Sequence, residues 1–206
     1  MVFQGGGSPP GKSSAGRRKS LVLLAVLVAG VIGLAGWLAL RPGPSDTPPR
    51  KMADFRELCE QPRRYFPTAA AHTGGGPHPM RVFQRANGTV QTKLVDADLR
   101  QPVPEQWRPR DPRQVQLVAC LDEPADGPVV GECRFTARTI PLHRGLYQVT
   151  VYEARTGVRV AEAELTGSTE QRCPSVTLWR EGESPRVHTS PDLAEYQRVL
   201  GRHVDR

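Results

Sequence analysis

The sequence predicts a mainly β protein: an antiparallel, β-sandwich-like extracytoplasmic domain with short flanking helices, preceded by one transmembrane helix. Three observations predict it. A run of twenty apolar, charge-free residues lies near the start; short segments of period-two alternation follow between turn signals; and four widely spaced cysteines all lie beyond the apolar run.

The run from Leu21 to Leu40 makes roughly 30 Å of helix at about 1.5 Å per residue, the thickness of a bilayer core. Arg17, Arg18 and Lys19 abut its start, whereas only Arg41, Arg50 and Lys51 follow nearby. That excess places residues 1–20, a disordered basic tail, in the cytoplasm and the remainder outside it. Trp37 suits the outer interface. A cleaved signal peptide is the competing reading, because Ala35, Gly36 and Ala39 offer small residues to a peptidase. The length of the run and the lack of an A-x-A ending argue against it. Either reading exports the domain.

Residues 41–51 form a proline-rich linker, with PGPSDTPP at 42–49, that holds the domain off the membrane. Residues 52–180 are large enough for one β-rich domain. A short helical pattern opens it at Met52–Cys59. Strand signals follow at Met80–Phe83, Val115–Leu121, Glu132–Thr139, Leu146–Glu153, Val158–Leu165 and Ser175–Trp179. The clearest hairpin joins Leu146–Glu153 to Val158–Leu165 through Arg155-Thr156-Gly157, with Tyr147, Val149 and Val151 on one face. Asn87-Gly88-Thr89 matches a glycosylation acceptor, but Asn-Gly is also a strong hairpin turn, and the turn is the preferred reading. Residues 181–206 are a linker and an amphipathic helix. Ser190 is its expected hydroxyl cap, Pro191 its first helical position, and Leu193, Tyr196, Leu200 and Val204 its stripe.

Cys59, Cys120, Cys133 and Cys173 lie on the exported side, where disulfides persist. Four cysteines allow three pairings. Cys120 and Cys133 flank the turn-like Asp122–Gly131 and are expected to meet across a hairpin, leaving Cys59 to pair with Cys173. A zinc site is disfavoured because there is no CxxC pair and no cysteine or histidine at finger spacing.

Charge narrows the partners. The formal charge is +7, but the tail alone holds Lys12, Arg17, Arg18 and Lys19 without an acid; the remaining 24 of 28 basic residues face 21 acids, a balance of +3. A dedicated nucleic-acid binder is not expected. Arginine pairs such as Arg63 with Arg64 and Arg108 with Arg110 suit a solvated surface first and anionic headgroups or an acidic polymer second.

For chemistry, His72 and His78 bracket the loop Gly74-Gly75-Gly76-Pro77, which can bring two imidazoles together, and Asp96 and Asp98 share a face if extended. No nucleophile elbow, phosphate loop, HExxH or EF-hand pattern is present. No catalytic, cofactor-binding or metal-binding residue is therefore assigned, and no enzyme is expected.

Four stretches carry a resemblance: Gly76-Pro77-His78-Pro79, VQLVAC at Val115–Cys120, YEARTG at Tyr152–Gly157, and Cys173-Pro174. Over roughly residues 53–178 the chain resembles a family of uncharacterised actinobacterial single-pass membrane-anchored proteins with a four-cysteine extracytoplasmic domain. The resemblance implies that the cysteines and the β-rich region belong to one domain, and it implies no activity. The expected function is a membrane-anchored binding or structural module of the cell envelope, held through Leu21–Leu40 and facing an envelope protein or polymer. One alternative is a small envelope hydrolase or metal-dependent enzyme using His72 and His78. Another is an accessory subunit of a membrane complex packing through Gly30, Gly33 and Gly36.

Overall fold

The computed structural model describes residues 41–93, 95, 102–136, 138–170, 172–174 and 185–206, with Val28, Gly30, Val31, Gly33 and Gly36 from the apolar run. The tail, most of Leu21–Leu40, the strand expected at Ser175–Trp179, and Asp96 and Asp98 lie outside the described residues. Val28, Gly30, Val31, Gly33 and Gly36 are helical. Among the described residues no helix is long and apolar enough to cross a membrane. The chain divides into two units, Met1–Arg41 and Pro42–Arg206, and the second holds the β-rich domain.

The proline-rich start of this domain is not the free spacer the composition suggested. Strand β1 (Gly43–Pro44) pairs in parallel with β2 (Arg64–Tyr65), the Gly43 N–H donating to the Arg63 carbonyl at 3.0 Å and the Ser45 N–H to that of Tyr65 at 2.7 Å. A 3-10 helix at Met52–Leu58 follows, its start satisfied by Asp54, which accepts from the backbone N–H groups of Arg50 and Lys51 at 2.8 and 3.1 Å. With about three residues per turn, Met52, Phe55 and Leu58 fall in one row. Phe55 and Leu58 are fully buried.

The remaining strands are β3 (Met80–Ala86), β4 (Thr89–Thr92), β5 (Leu117–Leu121), β6 (Ala125–Arg134), β7 (Thr139–Glu153), β8 (Arg159–Thr166) and β9 (Val187–Thr189). They make one seven-stranded mixed sheet. The β3–β4 hairpin turns on Asn87 and Gly88, whose φ angles of 51° and 74° are the left-handed pair an Asn-Gly turn supplies. The β7–β8 hairpin closes as expected, with Gly157 at φ 69°.

Strands β5 and β6 are successive parts of one long path along β7. Leu117 faces Glu153, Leu121 faces Val149, Ala125 faces Leu146 and Arg134 faces Thr139, so both run antiparallel to the same neighbour, with register shifts between Asp126 and Gly131. Those bulges accompany a change of phase in β7: Ile140 and Leu142 are buried, then Tyr147, Val149 and Val151. The chain therefore reverses between Arg134 and Thr139, where the Phe135 N–H donates to the Arg138 carbonyl at 2.9 Å. This corrects the expected strand at Glu132–Thr139, which spans the turn.

The same path overturns the expected disulfides. Asp122–Gly131 is not a turn, so Cys120 and Cys133 sit along one strand edge, roughly 40 Å apart if fully extended at about 3.3 Å per residue, and cannot meet. Cys59 pairs instead with Cys120 (Cα–Cα 5.4 Å) and Cys133 with Cys173 (5.5 Å). The first bridge ties the residue after the 3-10 helix to β5. The second ties the segment after β8 to the far end of the β6–β7 hairpin.

The sandwich of two facing sheets is also replaced. Strands β3 and β5 are parallel neighbours, and Met80, Val82, Phe83, Leu117, Val118, Ala119 and Leu121 are each at most 2% exposed. These strands are buried on both faces, as parallel strands usually are, and an apolar run of that kind does not reveal what covers it. One face packs Met80, Val82, Leu117, Val149 and Val151 against Trp107 and the terminal helix. The other packs Phe83, Val118 and Tyr152 against Phe55, Leu58 and Phe66. The terminal helix, Leu193–Val204, docks through its expected stripe: Leu193, Tyr196, Leu200 and Val204 are all buried. Its cap is Asp192 rather than Ser190, accepting from the Glu195 N–H at 2.9 Å.

Candidate functional site

The loop from His72 to His78 lies against the C-terminal end of the terminal helix. The His78 N–H donates to the Val204 carbonyl at 2.7 Å, and Gly76 lies so close to the Arg206 backbone that a Cβ there would collide with it. The two imidazoles do converge, with ring centroids 4.3 Å apart and edge-to-face. Glu153 of β7 joins them by accepting from the His72 backbone N–H at 3.1 Å. Burial first, then the neighbouring His78, lower the His72 pKa below 6.5, against the opposing pull of Glu153. Burial, Arg202 and His72 lower that of His203.

His78 is 4% exposed, and its Nδ1 lies 2.7 Å from Oε1 of Gln116. Among the described residues no group of three or more His, Cys, Asp or Glu side chains is placed to hold a metal ion. His72 and His78 line neither the cleft beside Cys173 nor the cavity beside Arg108.

A second histidine group escaped the sequence because its members are scattered. Asp126 at the bend of β6 accepts from Arg186 at 2.6 Å and lies 2.7 Å from Nε2 of His188 on β9. His143 stands with its ring 6.1 Å from that of His188, its Nδ1 3.1 Å from the Gly127 carbonyl. The hydrogen bond from His188 first, and the charges of Arg186, His143 and His188 after it, hold the Asp126 carboxyl below its usual range. Only the register of β6, β7 and β9 brings these residues together, and no local signal marks them.

His188 opens onto a cleft of about 400 Å³ between β9, the start of the terminal helix and the Cys173 segment. Glu170, Arg172, Thr189, Ser190, Asp192 and Gln197 contribute its polar groups. Ser190 accepts from Lys93 at 2.7 Å. Tyr147 donates to the Thr189 carbonyl at 2.9 Å, and burial pushes its phenol up to about 12, so it stays protonated as that donor. The Thr189 hydroxyl is buried and has no hydrogen-bond partner among the described residues. This mixture of donors and acceptors on rigid elements suits recognition of a polar ligand.

Of the arginines singled out, Arg63 is structural: it stacks over the Tyr152 ring at 4.7 Å from the centroid and donates to its hydroxyl. Trp107 is packed inside the domain, 1% exposed, with Nε1 donating to Asp205 at 2.8 Å. No protein-family model, curated protein or solved structure matches this chain.

Proposed function

We propose that the chain is a membrane-anchored module whose disulfide-locked domain stands outside the cytoplasm and binds a component of the cell envelope. The observation that carries this reading is the pair of disulfides, one at each end of the sheet, which together engage all four cysteines. Such bridges persist in oxidising compartments. The apolar run Leu21–Leu40, with its basic flank on the N-terminal side, supports the anchored topology. The resemblance to membrane-anchored actinobacterial proteins supports the same placement.

The rigid sheet supports binding rather than motion, because the cleft beside β9 is framed by Cys173 on one side and the docked helix on the other. The test is non-reducing peptide mapping of membrane-extracted protein, combined with protease treatment of intact cells. Expected are peptides linking Cys59 to Cys120 and Cys133 to Cys173, an uncleaved N-terminus, and a domain digested from outside. Four free thiols, or a domain protected in intact cells but cut in lysed ones, would remove the proposal.

A further inference from the structure

We propose that the loop between His72 and His78 is an acid-released latch: at neutral pH it clasps the end of the terminal helix, and protonation of the imidazoles gathered there lets it open while the sheet stays folded. This stands apart from the binding-module reading, because it concerns only the junction of loop and helix.

The loop is built to move on its own. Its two ends are fixed to the body: the Ala69 N–H donates to the Phe66 carbonyl at 2.8 Å, and the Gln116 and Leu117 N–H groups donate to that of Pro79 at 2.9 and 3.1 Å. Between those ends, a Cβ added at Gly74 or Gly75 would meet nothing within 4 Å. What holds the loop down is the His78 N–H on the Val204 carbonyl, the contact of Gly76 with the Arg206 backbone, and the His72 N–H on Glu153. A segment with so few ties opens at much lower cost than the whole domain unfolds.

Charge decides when it opens. The His72 and His78 rings touch edge-to-face with centroids 4.3 Å apart. On the helix, Nε2 of His203 lies 3.0 Å from Nε of Arg202. A guanidinium can only donate, so His203 accepts there through a lone pair that protonation removes. Glu153 is the one carboxylate facing this group, and the Thr156 hydroxyl donates to its other oxygen at 2.6 Å. Gln116 beside His78 is uncharged, and Asp205 of the helix end is engaged by Trp107 and Gln106 at 2.8 and 3.2 Å. Protonation therefore sets two imidazolium rings in contact, and a third beside a guanidinium, with a single carboxylate to offset them.

The electrostatics of the closed state agree. Burial first, then His78, lower the His72 pKa against the pull of Glu153 and the His203 backbone; burial first, then Arg202 and His72, lower that of His203. The open loop thus takes up protons that the closed one refuses, so closure is complete above 6.5 and weakens below it.

The experiment follows backbone amide exchange of the full chain in nanodiscs of neutral lipid from about pH 7.5 to about 5, with rates corrected for intrinsic exchange at each pH. Below 6.5 the opening that frees the His78 N–H is expected to rise by up to about tenfold per pH unit for each proton taken up. Urea separates this from global unfolding: a local opening exposes little surface and responds weakly, whereas exchange at Val149 in β7 rises steeply with urea. H72Q/H203Q should lose most of the acid-driven rise. E153Q keeps an acceptor for the His72 N–H but removes the offsetting charge, and in acid it should open severalfold more than the parent. The latch is overturned by a His78 opening that is constant across the pH range or that shares the urea slope of Val149. An undiminished rise in folded H72Q/H203Q, or an E153Q that opens no more than the parent, overturns it equally.

Discussion

His72 and His203 make the domain lose stability in mild acid. Both have folded-state pKa values below their ordinary 6.5, with burial as the leading cause. As pH falls through 6.5 the unfolded chain takes up protons that the folded one refuses, so stability is complete above that value and declines below it, down to the folded-state pKa values. Carboxylates act at lower pH. Burial opposes ionisation of Glu195, but Arg198 and the Thr166 N–H and hydroxyl bring its carboxyl below 4.5, so its contribution persists until pH falls further. The urea midpoint is therefore expected to stay level from pH 8 to 7 and to fall from 6.5 to 5. In His72→Gln/His203→Gln the fall in that window should be much smaller; an equal fall would place its origin elsewhere. The meeting of His72 with His78 was legible in outline because a glycine loop separates the two. Their partners His203 and Glu153 were not, since they arrive from a helix and a strand far along the chain.

At the scale of elements, the terminal helix carries one face of the core. Twelve residues are too few for a stable isolated helix in water, so its order comes from the docked stripe. Leu200→Ala removes a side chain that is 1% exposed and should cost about 2 to 5 kcal/mol in equilibrium unfolding. Asp192→Ala removes the cap and should cost about 1 kcal/mol, while Ser190→Ala should leave the helix start intact. A larger loss for Ser190 than for Asp192 would reverse that assignment. The stripe itself was readable because helical spacing is local. Which residue caps it was less so, because Ser190 and Asp192 are both good caps and only the chain's approach to β9 selects between them.

For the whole molecule, the bridges join regions that strand pairing alone leaves apart. Cys59–Cys120 closes a separation of 61 residues and Cys133–Cys173 one of 40. The chain-entropy model assigns each about 4 kcal/mol. Replacing Cys59 and Cys120 together by alanine should lower thermal stability and loosen the 3-10 helix at Met52–Leu58, seen as faster amide exchange at Phe55 and Leu58. Replacing Cys133 and Cys173 should instead loosen the hairpin end around Ile140 and Leu142, which packs with Cys133 and Val187 in a small cluster of its own. Identical exchange patterns in the two variants would show that the bridges do not act on separate regions.

The sequence by itself determined the features that depend on near neighbours: the β-rich composition of the domain, the Asn87-Gly88 and Gly157 turns, the buried face of Tyr147, Val149 and Val151, and the stripe of the terminal helix. Each follows from side-chain periodicity or from a residue's own backbone preference. Only the tertiary structure decided that β5 and β6 share one edge of β7, that helical segments rather than a second sheet cover the strands, and that Cys59 meets Cys120. Those outcomes turn on strand order and register, which relate residues dozens of positions apart, and periodicity repeats identically whichever neighbour a strand takes.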